Sequence, residues 1–204
     1  MFKINKITKE NRGMSYVELI VVLSIFSVLS SVVIFNYGGF QARVDIKNLA
    51  SDIALKAVEA QKSSMSGKLP PLAQQSQITS TWKPSYGIFI DRVADDKSFI
   101  YFTDLNAEDG LFDGSSCPGV NECLDKIAIT KGNSISSLDV FYQDGTHAPL
   151  NNLTVTFKRP DSSAIIKSNP ALNPNVSFIQ ITIASPKGAT AKIKLYPSGR
   201  IQVN

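Results

Sequence analysis

The chain holds one histidine and two cysteines in 204 residues. That is one short of the four such ligands of a closed structural zinc site, and the histidine lies far along the sequence from the two thiols. His147 stands alone, and no serine sits in the glycine-flanked elbow that presents a nucleophile. No phosphate-binding glycine loop occurs. These absences point away from an enzyme and leave His147 as a surface or turn residue. Internal repeats and long low-complexity segments are also missing. Proline is absent from residue 14 to about 66, which leaves that stretch open to a long helix.

What fills that stretch is apolar. Leu19–Phe35 is 17 residues with no charge, and Met14–Tyr37 makes 24. About 20 residues of helix span a bilayer. Ser24, Ser27, Ser30 and Ser31 dilute the run, but serine hydroxyls can bond back to the helix or across to a neighbour. One acid, Glu18, lies near its start. A carboxylate at the centre of a membrane helix costs roughly 2.5–3.5 kcal/mol, so a functional partner for it should be sought. Ahead of the run stand Lys3, Lys6, Lys9 and Arg12 against Glu10. The positive-inside rule keeps that end in the cytoplasm and sends the bulk of the chain outside.

The net charge of +4 is uneven. Residues 1–69 carry nine basic and five acidic side chains, residues 70–125 three and nine, and residues 126–204 nine and three. The acidic middle and basic final third can complement each other within the fold or between copies, or form plain solvated surface. The two thiols, Cys117 and Cys123, flank Pro118-Gly119 in a loop-like stretch. Five intervening residues allow a small closed loop, and an outside location favours a disulfide there.

Past the apolar run the pattern becomes amphipathic. Ile46, Leu49, Ala50, Ile53, Ala57 and Ala60 recur at helical spacing, with Arg43, Lys47, Asp52, Lys56 and Glu59 largely off that stripe. This predicts one helix of about 50 residues, with a bend or local melting at Gly38-Gly39 and an end at Ser66-Gly67 before Pro70-Pro71. Strand patterning follows over 86–91, 98–103, 126–130, 138–142, 153–158, 164–167, 176–184, 191–196 and 199–203, the first two as a hairpin. A helix followed by a run of strands predicts an α+β fold: a long N-terminal helix packed on an antiparallel β-rich domain.

The opening junction resembles the leader of type IV prepilins. The likeness rests on the short basic leader ending at Gly13, the hydrophobic Met14, Glu18 five residues into the remaining chain, and Leu19-Ile20-Val21-Val22-Leu23. It implies cleavage between Gly13 and Met14 by a membrane prepilin peptidase, and methylation of the new amine on Met14. The organisation implied is a removed cytoplasmic leader (1–13), a transmembrane and filament-core helix (14–37), its amphipathic continuation (38–69) and a β-rich domain (70–204). The partners implied are the peptidase, membrane lipid before assembly, and other pilin or pseudopilin subunits in a filament of a type IV pilus or type II secretion system. The location implied is the cytoplasmic membrane, then a periplasmic or extracellular filament. Glu18 would face the Met14 amine of a neighbouring copy. Two departures stand out: Met14 replaces the commoner phenylalanine, and the membrane half lacks the proline many pilins carry. The final segment through Gly199-Arg200 resembles H-type pseudopilins and minor pilins, which favours a minor subunit.

Two further signals leave alternatives open. Asp104, Asn106, Glu108 and Asp113 surround Gly110 with oxygen ligands at alternating positions, as a calcium loop would. The glycine sits one place late for an EF-hand and no glutamate closes the loop, so an acidic turn between strands is the competing reading. Lys158, Arg159, Lys167, Lys187, Lys192, Lys194 and Arg200 could meet nucleic-acid phosphates, but no aromatic residues interleave with them. Three functions remain: a structural filament subunit, a binding module displayed on a filament, and a plain single-span membrane protein with an external domain.

Overall fold

The computed structural model describes residues 13–105, 109–114, 117 and 122–204. One α-helix, α1, runs over Tyr16–Met65. Both Gly38 and Gly39 stay helical, so local melting is not found there. Helical turns on both sides hold them, since extending a formed helix is far easier than nucleating one. Contacts divide the chain into two units at Gln41 and Ala42.

In the first unit the apolar side chains of α1, from Val17 to Phe40, are exposed all round the helix. Its most apolar 18-residue window has a mean hydropathy of 2.6, and none of it is buried. The helix is long and apolar enough to cross a membrane.

In the second unit α1 supplies a core stripe. Ala42, Ile46, Ala50, Ile53, Ala57 and Ala60 are buried, and Leu49 is partly so. The alanines keep this face thin, which permits close approach to a sheet. The helix ends in a Schellman motif. Lys68 N–H donates to the Ser63 carbonyl and Gly67 N–H to that of Ser64, with Gly67 at φ +69°. A short 3₁₀ turn, Leu72–Gln77, follows Pro70-Pro71.

Ten strands follow: β1 Ser85–Asp91, β2 Ser98–Thr103, β3 Cys123–Ala128, β4 Ser134–Tyr142, β5 His147–Pro149, β6 Asn152–Lys158, β7 Ala164–Lys167, β8 Val176–Ala184, β9 Thr190–Leu195 and β10 Ile201–Val203. They form two antiparallel five-stranded sheets, ordered β3-β2-β1-β6-β7 and β10-β9-β8-β4-β5. Ile88, Leu153 and Val155 of the first sheet, and Leu138, Ile179, Ile181 and Ile193 of the second, join the helix stripe in one core. The fold is α+β, a long N-terminal helix packed on antiparallel sheets. Gly87 marks the tightest point in β1. A β-carbon there would lie 2.5 Å from the Val155 carbonyl oxygen and 2.8 Å from the Phe102 ring.

The structure departs from sequence expectation in several places. β5 and the 3₁₀ turn were not expected. β3 starts at Cys123 and β4 at Ser134, both earlier than the pattern suggested. Gly199 belongs to a turn at φ +81°, and the last strand starts at Ile201.

Candidate functional site

Three features merit a site-level reading, and the first is the start of α1. Its first turn is set by the Leu19 N–H donating to the Ser15 carbonyl at 3.1 Å. Glu18 lies in that turn, where the positive end of the helix dipole favours an acid. Its side chain is exposed, as are those of Met14, Val17 and Leu19. Among the described residues, nothing lies within 4 Å of where a β-carbon on Gly13 would stand. Further along, Ser24 turns its hydroxyl back to the Val21 carbonyl at 2.8 Å, which satisfies it inside an apolar helix. Among the described residues, the junction therefore presents Gly13 with room beside its backbone, one acid, and an apolar cylinder without cover of its own.

The second feature is the loop between β2 and β3. Cys117 and Cys123 are joined by a disulfide, their Cα atoms 5.5 Å apart. Asn106 and Glu108 of the calcium set lie outside the described residues. Asp104 is buried, and its Oδ2 accepts the Gly110 N–H at 2.7 Å. Asp113 places its backbone N–H 2.9 Å from Glu122 Oε2, while Glu122 Oε1 accepts the Leu105 N–H at 3.1 Å. Glu122, which the sequence pattern does not single out, thus ties the start of the loop at Leu105 to its middle at Asp113. Burial pushes its carboxyl above the ordinary glutamate value, against the pull of those two amide bonds. Among the described residues no three acid, histidine or cysteine side chains cluster as metal ligands.

The third feature is the outer face of the second sheet. The sequence shows no aromatic residues interleaved with the basic ones, but the register supplies them. Phe141 stacks on Phe178 with ring centroids 4.6 Å apart, and on His147 at 5.5 Å. Tyr196 follows Phe178 at 5.6 Å. The Lys194 ammonium sits 4.7 Å from the Phe178 centroid, and the Arg200 guanidinium 3.9 Å from that of Tyr196. The row runs over β5, β4 and β8 to Tyr196, the residue after β9. It acts as a cross-strand stack that ties the sheet together. Lys167 is engaged elsewhere, donating to the Asp109 carbonyl. A cleft of about 640 Å³ beside β7 is lined mainly by apolar groups, among them Leu111, Ile166, Leu172 and Val176. Among the described residues, its lining includes no acid or histidine.

No protein-family model, curated protein or solved structure matches this chain.

Proposed function

We propose that this chain is a structural subunit of a membrane-assembled filament of the type IV pilus or type II secretion kind, in the role of a minor pilin or pseudopilin. The observation that carries the reading is Glu18. It is a single acid in the first turn of a helix whose apolar surface is exposed from Val17 to Phe40. Such a surface is stable in lipid or against other helices and unstable in water.

In this reading a peptidase cuts between Gly13 and Met14 at the cytoplasmic face. The new amine on Met14 is methylated and stays charged. Before assembly, α1 spans the cytoplasmic membrane and the β-rich unit lies outside. During assembly the Glu18 carboxylate of one copy meets the Met14 amine of its neighbour. Each ion offsets the desolvation of the other, and the pairing fixes the axial offset between copies. The apolar surface that lipid covered becomes the filament core.

Glu18→Ala tests this directly. The variant is expected to be cut at Gly13 and to remain in the membrane, absent from filaments. Incorporation at the wild-type level would contradict the assignment.

A further inference from the structure

We propose that the end of the β-rich unit where α1 enters it docks on anionic lipid headgroups. The inference rests on the membrane-spanning reading of α1, and adds a second lipid contact made by the folded unit itself.

Contacts within the unit bring three turns to that end. Asp45, one turn past Ala42, takes the Lys131 ammonium at 2.7 Å, which places the β3–β4 turn beside the helix. A β-carbon on Gly132 would lie 3.0 Å from Pro186 Cγ, so the β8–β9 turn with Lys187 lies alongside. Ile129 N–H donates to the Lys97 carbonyl at 2.8 Å and Ile135 N–H to that of Asp96 at 2.9 Å, which adds the β1–β2 turn. Arg43, Lys47, Arg92, Lys97, Lys131 and Lys187 therefore share one end of the unit.

Three of the four acids of the same end are held by neighbouring groups. Asp45 is paired with Lys131. Asp91 Oδ1 accepts the N–H groups of Val93 and Ala94. Asp95 accepts the Lys97 N–H and the Ser98 hydroxyl, and pairs with Lys126 at 2.9 Å. Asp96 is the other acid of these turns. Six basic side chains against four acids leave that end net positive, and Val93, 69% exposed, stands at the tip of the β1–β2 turn between Arg92 and Lys97.

Chain continuity names the occupant. The apolar core ends at Phe35, and Arg43, the first charged residue after Glu18, follows eight residues later. At 1.5 Å per residue that is about 12 Å, comparable to the headgroup layer plus a Debye length of about 8 Å. A juxtamembrane basic cluster at that distance is drawn to anionic lipid, and an apolar tip residue suits the interface.

The test uses the full chain in lipid nanodiscs, of phosphatidylcholine alone or with phosphatidylglycerol added. Hydrogen exchange is followed in the turns at 92–97, 129–133 and 185–189, with the turn at 143–146 as an internal reference. About fivefold slower exchange in the anionic discs is expected, the equivalent of one basic contact. The protection should vanish in about 0.5 M salt and in an Arg43→Glu/Lys97→Glu variant whose reference turn exchanges as in the wild type. Equal exchange in the two lipids overturns the inference while leaving the span intact. Extraction of the full chain from membranes by alkaline carbonate would overturn the spanning reading and this inference with it.

Discussion

The Ser64 hydroxyl donates to the Phe157 carbonyl at 2.7 Å from the last full turn of α1. The same oxygen accepts the Tyr86 N–H at 3.0 Å and lies 3.0 Å from the Ala60 carbonyl. Tyr86 and Phe157 face each other across β1 and β6. A helix side chain is thus built into the strand ladder, and Ser64 is fully buried. This join and the apolar stripe together hold the helix on the sheet.

Ser64→Ala leaves two buried backbone groups to find other partners. The expected cost is about 1–3 kcal/mol, the range for orphaned buried polar groups. Chemical denaturation of the full chain in detergent checks it. A change below about 0.5 kcal/mol would show that Tyr86 and Phe157 close on each other without the hydroxyl.

The stacked row on the second sheet makes a separate claim. Phe178 contacts Phe141, Tyr196 and the Lys194 ammonium. Phe178→Ala should cost about 1–3 kcal/mol by losing those pairs on a half-buried surface. Phe178→Tyr keeps the ring and should stay near wild type. Equal loss in the two variants would mean that stacking is not what holds this face.

Acid stability should depend on Asp95. Hydrogen bonds from the Lys126 ammonium and the Ser98 hydroxyl hold its carboxyl at about 2, below the ordinary aspartate value of 3.8. The folded pKa is depressed, so the contribution is present above the unfolded value and is lost as pH falls from about 4 to about 2. The group is partly exposed to solvent screening, which limits the effect to about 1 kcal/mol. The gap in melting temperature between wild type and Asp95→Asn should therefore close over that window. A gap that stays constant from pH 6 to pH 2 would remove Asp95 from the account.

How far these features could be read in advance depends on how local their cause is. The helix was legible because Ile46, Ala50, Ile53, Ala57 and Ala60 repeat at its own period. The alternation of Ile179, Ile181 and Ile183 announced β8 in the same way. The spacing of Cys117 and Cys123 suggested the disulfide that the structure contains. β5 was not legible, because it is three residues long, exposed at both ends and closed by Pro149 on a sheet edge. Glu122 was missed because its role exists only once the chain folds back on Leu105 and Asp113. The aromatic row was missed because Phe141 and Phe178 meet through strand register across 37 positions of sequence. No local pattern carries such information.

The central claim concerns the junction at Gly13 and Met14, and the intact mass of the protein extracted from its native membrane tests it most directly. The account predicts a chain of 191 residues beginning at Met14, carrying one added methyl group on its amine and none of the thirteen leader residues. A chain that keeps residues 1–13 would contradict the account.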